Sequence, residues 1–370
     1  MSRVAVWLTL FAGSMALTGA GCLFDAAPFV IAYLPLAGVL LVGTERRWEA
    51  SALIAGHFLW PTLISGWGLV QLGYDPVAVI GGAACLIALV TALFLWLGLG
   101  PGSVLLAALP AFPANPLLVT GALLPGTGVW GGPVLLFWAL LTGWAPRLWQ
   151  RAGLLAAIAL APVVLHDRAV TSPEPMLQKI DLSGIRALTE RGHWMDILSR
   201  VNEGDTLILG ENILMADDSA TIAWWCRAVE TRNITALIGV MGTGGLGEVW
   251  MVESGMECPV PLYRAALGVP FVNAEIFAGY RATHLAVSPD VARPEIDWLI
   301  CFEAFSLWRW ISLGLNSHSP RPVVILANDR WTDPIPTASL RRKVTGAFAA
   351  LYGREVAHAD TRWTGVVLGR

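Results

Sequence analysis

The chain has 370 residues, 55% of them hydrophobic and only 14% charged, a balance outside that of ordinary water-soluble proteins and natural for a chain that meets a membrane. A net charge of −3 and only two lysines, Lys179 and Lys343, leave no basic stripe, so direct nucleic-acid binding is not expected. The five cysteines, Cys22, Cys85, Cys226, Cys258 and Cys301, fit neither a disulfide framework nor a CxxC metal pattern, and nothing in the pattern implies a metal or cofactor.

Charge is spread unevenly. Asp75 is the one charged residue between Ala50 and Pro146, whereas charges are frequent after His166. Apolar runs recur at Val4 to Leu23, Ala27 to Gly43, Ser51 to Gly73, Val77 to Gly100, Ser103 to Leu124, Gly128 to Ala145 and Ala152 to Leu165. Each approaches the ~20 residues a helix needs to cross hydrocarbon, the last being short. These runs predict a multi-span α-helical membrane domain over residues 1–166, with about seven helices. The first run has the character of a signal-peptide core, but Gly19 to Cys22 leads straight into another apolar run, so it reads as a retained helix.

Lys and Arg are retained on the cytoplasmic side of a membrane. With seven spans, Arg3, the Arg46/Arg47 pair and Arg147 with Arg151 all fall on one side, while Asp25, Asp75 and the Pro125 to Thr127 turn fall on the other. The chain after Leu165 is therefore expected on the non-cytoplasmic face of a bacterial inner membrane, in the periplasm. The tryptophans and prolines of this half read as interfacial anchors and tolerated kinks. His57, within the third run, reads as a neutral histidine bonded to a neighbouring helix, although an ionisable group in a span is also a functional hypothesis.

From about Thr171 the pattern becomes that of an α/β domain, residues 167–370. Thr206 to Gly210, Ile234 to Val240, Trp298 to Cys301 and Val323 to Ala327 read as strands, and Ser219 to Thr231 and Pro336 to Leu351 as helices. The glycine-rich Met241 to Gly247 lacks the Lys-Ser/Thr of a phosphate loop and reads as a hairpin turn.

Three segments place reactive or polar residues at strand ends, where α/β folds collect catalytic groups: Leu207 to Asn212 (LILGEN), Leu299 to Glu303 (LICFE) and Leu326 to Trp331 (LANDRW). With Glu211, then Cys301-Phe302-Glu303, then Asn328-Asp329-Arg330-Trp331 in this order behind a multi-span N-terminus, the chain resembles the apolipoprotein N-acyltransferase branch of the nitrilase (carbon–nitrogen hydrolase) superfamily. The Gly353 to Gly365 stretch is similar to that family's closing segment. The resemblance implies an αββα sandwich, with Cys301 as nucleophile, Glu211 as general base, and Glu303, Asn328 and Trp331 shaping the binding pocket. A thiolate attacks an acyl carbon readily and leaves readily, which splits acyl transfer into two steps, and a partly buried carboxylate can take the thiol proton and return it.

The family's third member is a lysine in a Y-x-K-x-H-L-V-P-F-G-E context, and no lysine lies between Glu211 and Cys301. The nearest match is Tyr263 to Phe271, with Arg264 standing in for the lysine; a rival is Tyr280-Arg281 to His284-Leu285. Arg can stabilise an oxyanion but does not shed a proton, so the exchange is not conservative. The family's C-Y-E tyrosine is Phe302 here. The resemblance thus implies acyl transfer from a phospholipid or other donor through Cys301 to an amine. A nitrilase-type amidase and an inactive scaffold stand as alternatives. The chain is also similar to conjugal transfer proteins of the TraB type, which implies service in plasmid conjugation beside envelope proteins of the transfer apparatus.

Overall fold

The computed structural model describes residues 2–24, 26–42, 46–71, 73–98, 101–102, 116–165, 177–181, 191–242, 247–253, 259–265, 296–316, 321–328, 337–360 and 364–368. They fall into two compact units. One comprises Met1–Thr171, Phe305–His318 and Trp331–Arg354; the other comprises Ser172–Ala304, Ser319–Arg330 and Glu355–Arg370. A boundary at residues 166/167 follows chain order, and these units cut across it, because two helices from the later half of the chain belong with the apolar helices.

The first unit is helical. Its elements are α1 (Arg3–Leu23), α2 (Leu34–Val42, after a 3-10 turn Phe29–Tyr33), α3 (Arg47–Gln71), α4 (Pro76–Leu97), α5 (Thr120–Leu123, after a 3-10 turn Pro116–Val119), α6 (Gly131–Trp144), α7 (Leu148–Leu165), α10 (Leu307–Asn316) and α11 (Thr337–Tyr352). Four of these, α1, α3, α4 and α7, are long and apolar enough to cross a membrane, and Phe29–Val42 and Gly128–Trp144 are shorter apolar helices. Most of the expected span Ser103 to Leu124 lies outside the described residues. Its last part is a 3-10 turn, Pro116–Val119, followed by the single turn α5.

Side chains fix the ends of this unit. Trp7 donates its indole N–H to Ser51 Oγ at 3.0 Å, and Trp48 donates to the Arg3 carbonyl at 3.3 Å, so the N-termini of α1 and α3 lie together. Arg151 donates to the Leu41 and Ala145 carbonyls at 3.3 and 2.8 Å, joining the C-termini of α2 and α6 to the start of α7. Because α3 starts soon after α2 ends, the Arg3, Arg46/Arg47 and Arg147/Arg151 groups gather at one end. At the opposite end of α1, about 31 Å away at 1.5 Å per residue, Lys343 of α11 donates to the Gly21 and Ala27 carbonyls at 2.7 and 2.8 Å. A side chain at Gly121 would collide with the Ala347 carbonyl, which shows how closely α11 lies on α5. Within the helices, His57 is buried with Nδ1 2.9 Å from the Ala32 carbonyl and 3.2 Å from Thr18 Oγ1, the neighbouring-helix bonding expected of it.

The second unit is a mixed ten-stranded sheet in the order β6-β5-β4-β2-β10-β9-β8-β7, with β1 beside β10 and β3 beside β4. The strands are β1 (Leu177–Asp181), β2 (Thr206–Ile208), β3 (Leu214–Met215), β4 (Thr235–Met241), β5 (Gly247–Glu253), β6 (Val260–Arg264), β7 (Asp297–Ile300), β8 (Val323–Ala327), β9 (Val356–Asp360) and β10 (Thr364–Leu368). β2 runs parallel to β4, and β7 and β9 run parallel to β8, while β5 returns antiparallel from β4 with Met241 opposite Gly247, as a hairpin requires. Two helices, α8 (Arg191–Ser199) and α9 (Ser219–Arg232), belong to this unit. Asp218 caps α9 by accepting the Thr221 N–H at 3.0 Å, and Asn233 ends it in the left-handed region.

Alternation along the strands separates two cores. An outer one joins Ala236, Ile238 and Val240 to Trp194 and Trp225 of the helices. The inner one contains Leu237, Val249, Tyr263 and Ala265 from one half of the sheet and Trp298, Ile300, Leu326 and Ala359 from the other, so the sheet curls until its halves face each other. Cysteine spacing suggested no disulfide framework. Cys226 is nevertheless disulfide-bonded, while Cys22, Cys85 and Cys301 form no disulfide. Pairing depends on distance in space, which spacing along the chain does not reveal.

Candidate functional site

The parallel strands β2, β4, β7 and β8 bring their C-terminal ends to a common rim. After β2 the chain runs over Gly239 so closely that any side chain there would collide with Gly210 and Glu211. Leu209 N–H donates to the Leu237 carbonyl and Ile213 N–H to Gly239. The residues between bow outward, with Asn212 at φ 57°, and the bow carries Glu211, which is 8% exposed. A Cβ on Gly247 would lie 3.5 Å from Glu211 Oε1 and 2.7 Å from Ile300 Cγ2, so Glu211 and the end of β7 share one glycine floor.

Cys301 follows at once. The expected strand Trp298 to Cys301 instead ends at Ile300, and Cys301 opens a 3-10 turn, Cys301–Phe305, with φ at 48°. A left-handed conformation at a residue with a side chain costs about 1–3 kcal/mol and persists only where neighbours enforce it. Glu303 enforces it. Asp297 N–H points into the ladder, to the Pro322 carbonyl, so by alternation the Ile300 N–H points away from β8 at the terminal strand. Glu303 Oε2 accepts that N–H at 2.9 Å and also accepts the Tyr263 hydroxyl at 2.8 Å. Glu303 is fully buried, and its carboxylate ties both flanks of the cysteine turn to β6. The Cys301 thiol is half-buried and not disulfide-bonded.

Arg264 lies elsewhere. Its guanidinium is 2.6 Å from Glu248 Oε1, and its Nε donates to the same oxygen at 2.7 Å. Glu248 Oε2 accepts the Trp250 indole N–H at 2.7 Å, and Trp250 packs against the outer core. Tyr263 and Ala265 lie in the inner core, on the side of Ile300. Asn328 follows β8 beside the Cys301 turn, since Ile300 pairs with Leu326. Trp331 and the rival Arg281 lie outside the described residues. Among the described residues no group of three His, Cys, Asp or Glu side chains could hold a metal ion. The sequence assigns Tyr263 no role beyond marking the motif, because neither strand β6 nor the direction its side chains face is legible there.

The chain thus combines long apolar helices with a mixed α/β unit whose strand ends carry a strained, half-buried cysteine. No family model matches it. It is similar to a curated protein, conjugal transfer protein TraB of Agrobacterium fabrum (strain C58 / ATCC 33970), at 27% identity over 269 residues, 66% of this chain and 61% of that protein. The likeness therefore spans about three-fifths of the relative's length.

Proposed function

We propose that this chain is a multi-pass inner-membrane protein serving plasmid conjugal transfer, whose α/β unit is a nitrilase-like αββα sandwich that moves an acyl group through Cys301 to an amine. The observation that carries the reading is the left-handed Cys301 at the end of β7, held there by the buried Glu303. Strained backbone at a reactive residue is a mark of functional sites, where the surrounding fold over-determines it. The relative's name supports the conjugal role.

In the reaction, Glu211 takes the thiol proton as the sulfur attacks the acyl carbonyl carbon of a phospholipid or similar donor. The C–O bond to the donor breaks, and Glu211 returns the proton to the leaving oxygen. The acceptor amine then attacks the thioester; a C–N bond forms, the C–S bond breaks and the thiol is regenerated with the amine's proton. The periplasmic side is read from charge in the helical unit. Arg3, Arg47 and Arg151 lie together at one end, taken here as the cytoplasmic one, and Lys343 of α11, preceded by Arg341 and Arg342, sits at the other. The Cys226 disulfide supports the same placement, because disulfides persist in oxidising compartments such as the periplasm. Alkaline phosphatase fused after Arg200 is expected to be active; activity only from a cytoplasmic reporter there would reverse the orientation.

A second reading has its own observation. In Y-x-K the lysine stands two residues after the tyrosine, on the same strand face, and here that position is Ala265. Arg264 would have to leave Glu248 to reach an oxyanion beside Cys301. This favours a nitrilase-like fold kept for binding within the transfer apparatus. The deciding experiment incubates the Glu211→Gln protein, in which deacylation is slowed, with phospholipid vesicles and maps Cys301 by mass spectrometry. An acyl adduct on Cys301, absent from Cys301→Ala, is the expected result; no adduct in any variant leaves the binding reading.

A further inference from the structure

Helix α10 has two apolar sides and only one of them is covered. On the covered side Trp310 is fully buried and stacks on Phe348 of α11, with ring centroids 5.0 Å apart. Gly314 on the same side lies under the Tyr352 ring so closely that a side chain there would collide with it. The opposite stripe, at helical spacing, is Trp308, Ile311 and Leu315, with Ser312 beside it. Trp308 is 46% exposed and Leu315 64%. A helix with water on one side normally turns charged and polar residues to it, and this one turns a tryptophan, an isoleucine and a leucine.

What adjoins the stripe identifies its solvent. Leu307, Trp308 and Ile311 border a cavity of about 200 Å³ whose other walls include Val129, just before α6, and Pro133 and Leu136 in its first turns. Trp130 and Phe137 of the same apolar segment are themselves 72% and 59% exposed. The exposed apolar surface therefore continues from α6 onto α10 within one unit. It does so at the Lys343 end, away from Arg3, Arg47 and Arg151. Tryptophan is enriched where a membrane meets water, and an amphipathic helix lying there buries its apolar side among acyl chains.

We propose that α10 is an interfacial helix whose Trp308–Ile311–Leu315 stripe lies in the acyl-chain region of the non-cytoplasmic leaflet, the cavity between α10 and α6 taking the end of a lipid chain. This rests on the helical unit crossing a membrane and is independent of any chemistry at Cys301. A nitroxide on Leu315→Cys tests it, in the full chain carrying Cys85→Ala and Cys301→Ser, reconstituted in phospholipid nanodiscs with the background signal subtracted. Power saturation is expected to show oxygen reaching the label more readily than a water-soluble nickel chelate. Greater access for nickel would place the stripe in water, and exclusion of both would mean protein covers it; either overturns the proposal. Should that variant fail to fold, a benzophenone side chain introduced at Trp308 in native membranes reports instead. Crosslinking to phospholipid is expected, and crosslinking to a second copy or another protein would overturn the assignment.

Discussion

Tyr263 and Arg264 are consecutive residues of β6, and each meets a glutamate that the fold buries, yet the two pairs are built for different ends. Tyr263 points into the inner core, and its hydroxyl and the Ile300 N–H converge on Glu303, which has no exposed surface. Arg264 points the other way and keeps 46% of its side chain in solvent while pairing with Glu248. One residue of register thus separates a latch on the cysteine turn from a half-exposed ion pair at the edge of the sheet. The inner pair is placed to set the geometry of Cys301, and the outer pair to hold β5 against β6. Each of the following substitutions asks whether that division is real.

The largest effect is expected at the residue the inner pair serves. On the proposed acyl transfer, Cys301→Ala should reduce conjugal transfer to background at unchanged protein level, because no other group would form the thioester, and Cys301→Ser should come close to it. Removing one half-buried sulfur costs only about 1 kcal/mol of packing, so unfolding would not be the reason. Cys301→Gly adds a separate check: glycine accepts positive φ without strain, so this protein should be about 1 kcal/mol more stable than Cys301→Ala in chemical denaturation and equally inactive. Equal stability of the two would mean the turn stores no strain.

Next comes Glu303→Ala. It leaves the Ile300 N–H and the Tyr263 hydroxyl buried without their acceptor and opens a void, and about 3–5 kcal/mol of stability should be lost. Glu303→Gln keeps an acceptor oxygen and should recover much of the stability, with slowed alkylation of Cys301 as the residual defect. Tyr263→Phe is milder: one hydroxyl is lost and Glu303 keeps the Ile300 N–H. A cost of about 1–3 kcal/mol is expected, with a changed pH profile of Cys301 alkylation by iodoacetamide. A loss of stability with an unaltered profile would reduce Tyr263 to a packing residue.

The comparison also shows where reading the sequence stops. β2, β7 and β8 were legible because each is a short buried apolar run ended by a polar or reactive residue, and Glu211, Cys301 and Glu303 follow their ends. The hairpin at Met241 to Gly247 was legible from its glycines. Strands β5 and β6 were not, since Glu248 and Arg264 interrupt their apolar pattern and a pair across strands is invisible until the register is known. The same ignorance of register let Arg264 stand for a lysine two positions from a tyrosine, when strand geometry puts adjacent residues on opposite faces. The segments of α10, not read as a helix, and of α11 fell within the expected water-soluble domain because charge rises after His166. Their place beside the apolar helices depends on contacts such as Lys343 with the Gly21 carbonyl, made between residues far apart in the chain.

The smallest effect is expected at Arg264, and it is the sharpest test of the division. Exposed ion pairs contribute up to about 1 kcal/mol, and Glu248 would keep its bond from the Trp250 indole after the guanidinium is gone. Arg264→Ala should therefore lower stability by about 1 kcal/mol, somewhat more if Glu248 finds no water. Arg264→Lys should restore most of that through a single contact to the same carboxylate. Neither change should alter how fast iodoacetamide alkylates Cys301 or how much acyl adduct Cys301 gathers in the Glu211→Gln background, because the guanidinium lies on the outer side of β6 while Glu211, Ile300 and Gly247 meet on the inner one. Loss of the adduct in Arg264→Ala at near-native stability would break the comparison: the arginine would then leave Glu248 during the reaction, and the oxyanion role assigned to it by the Tyr263 to Phe271 match would be regained.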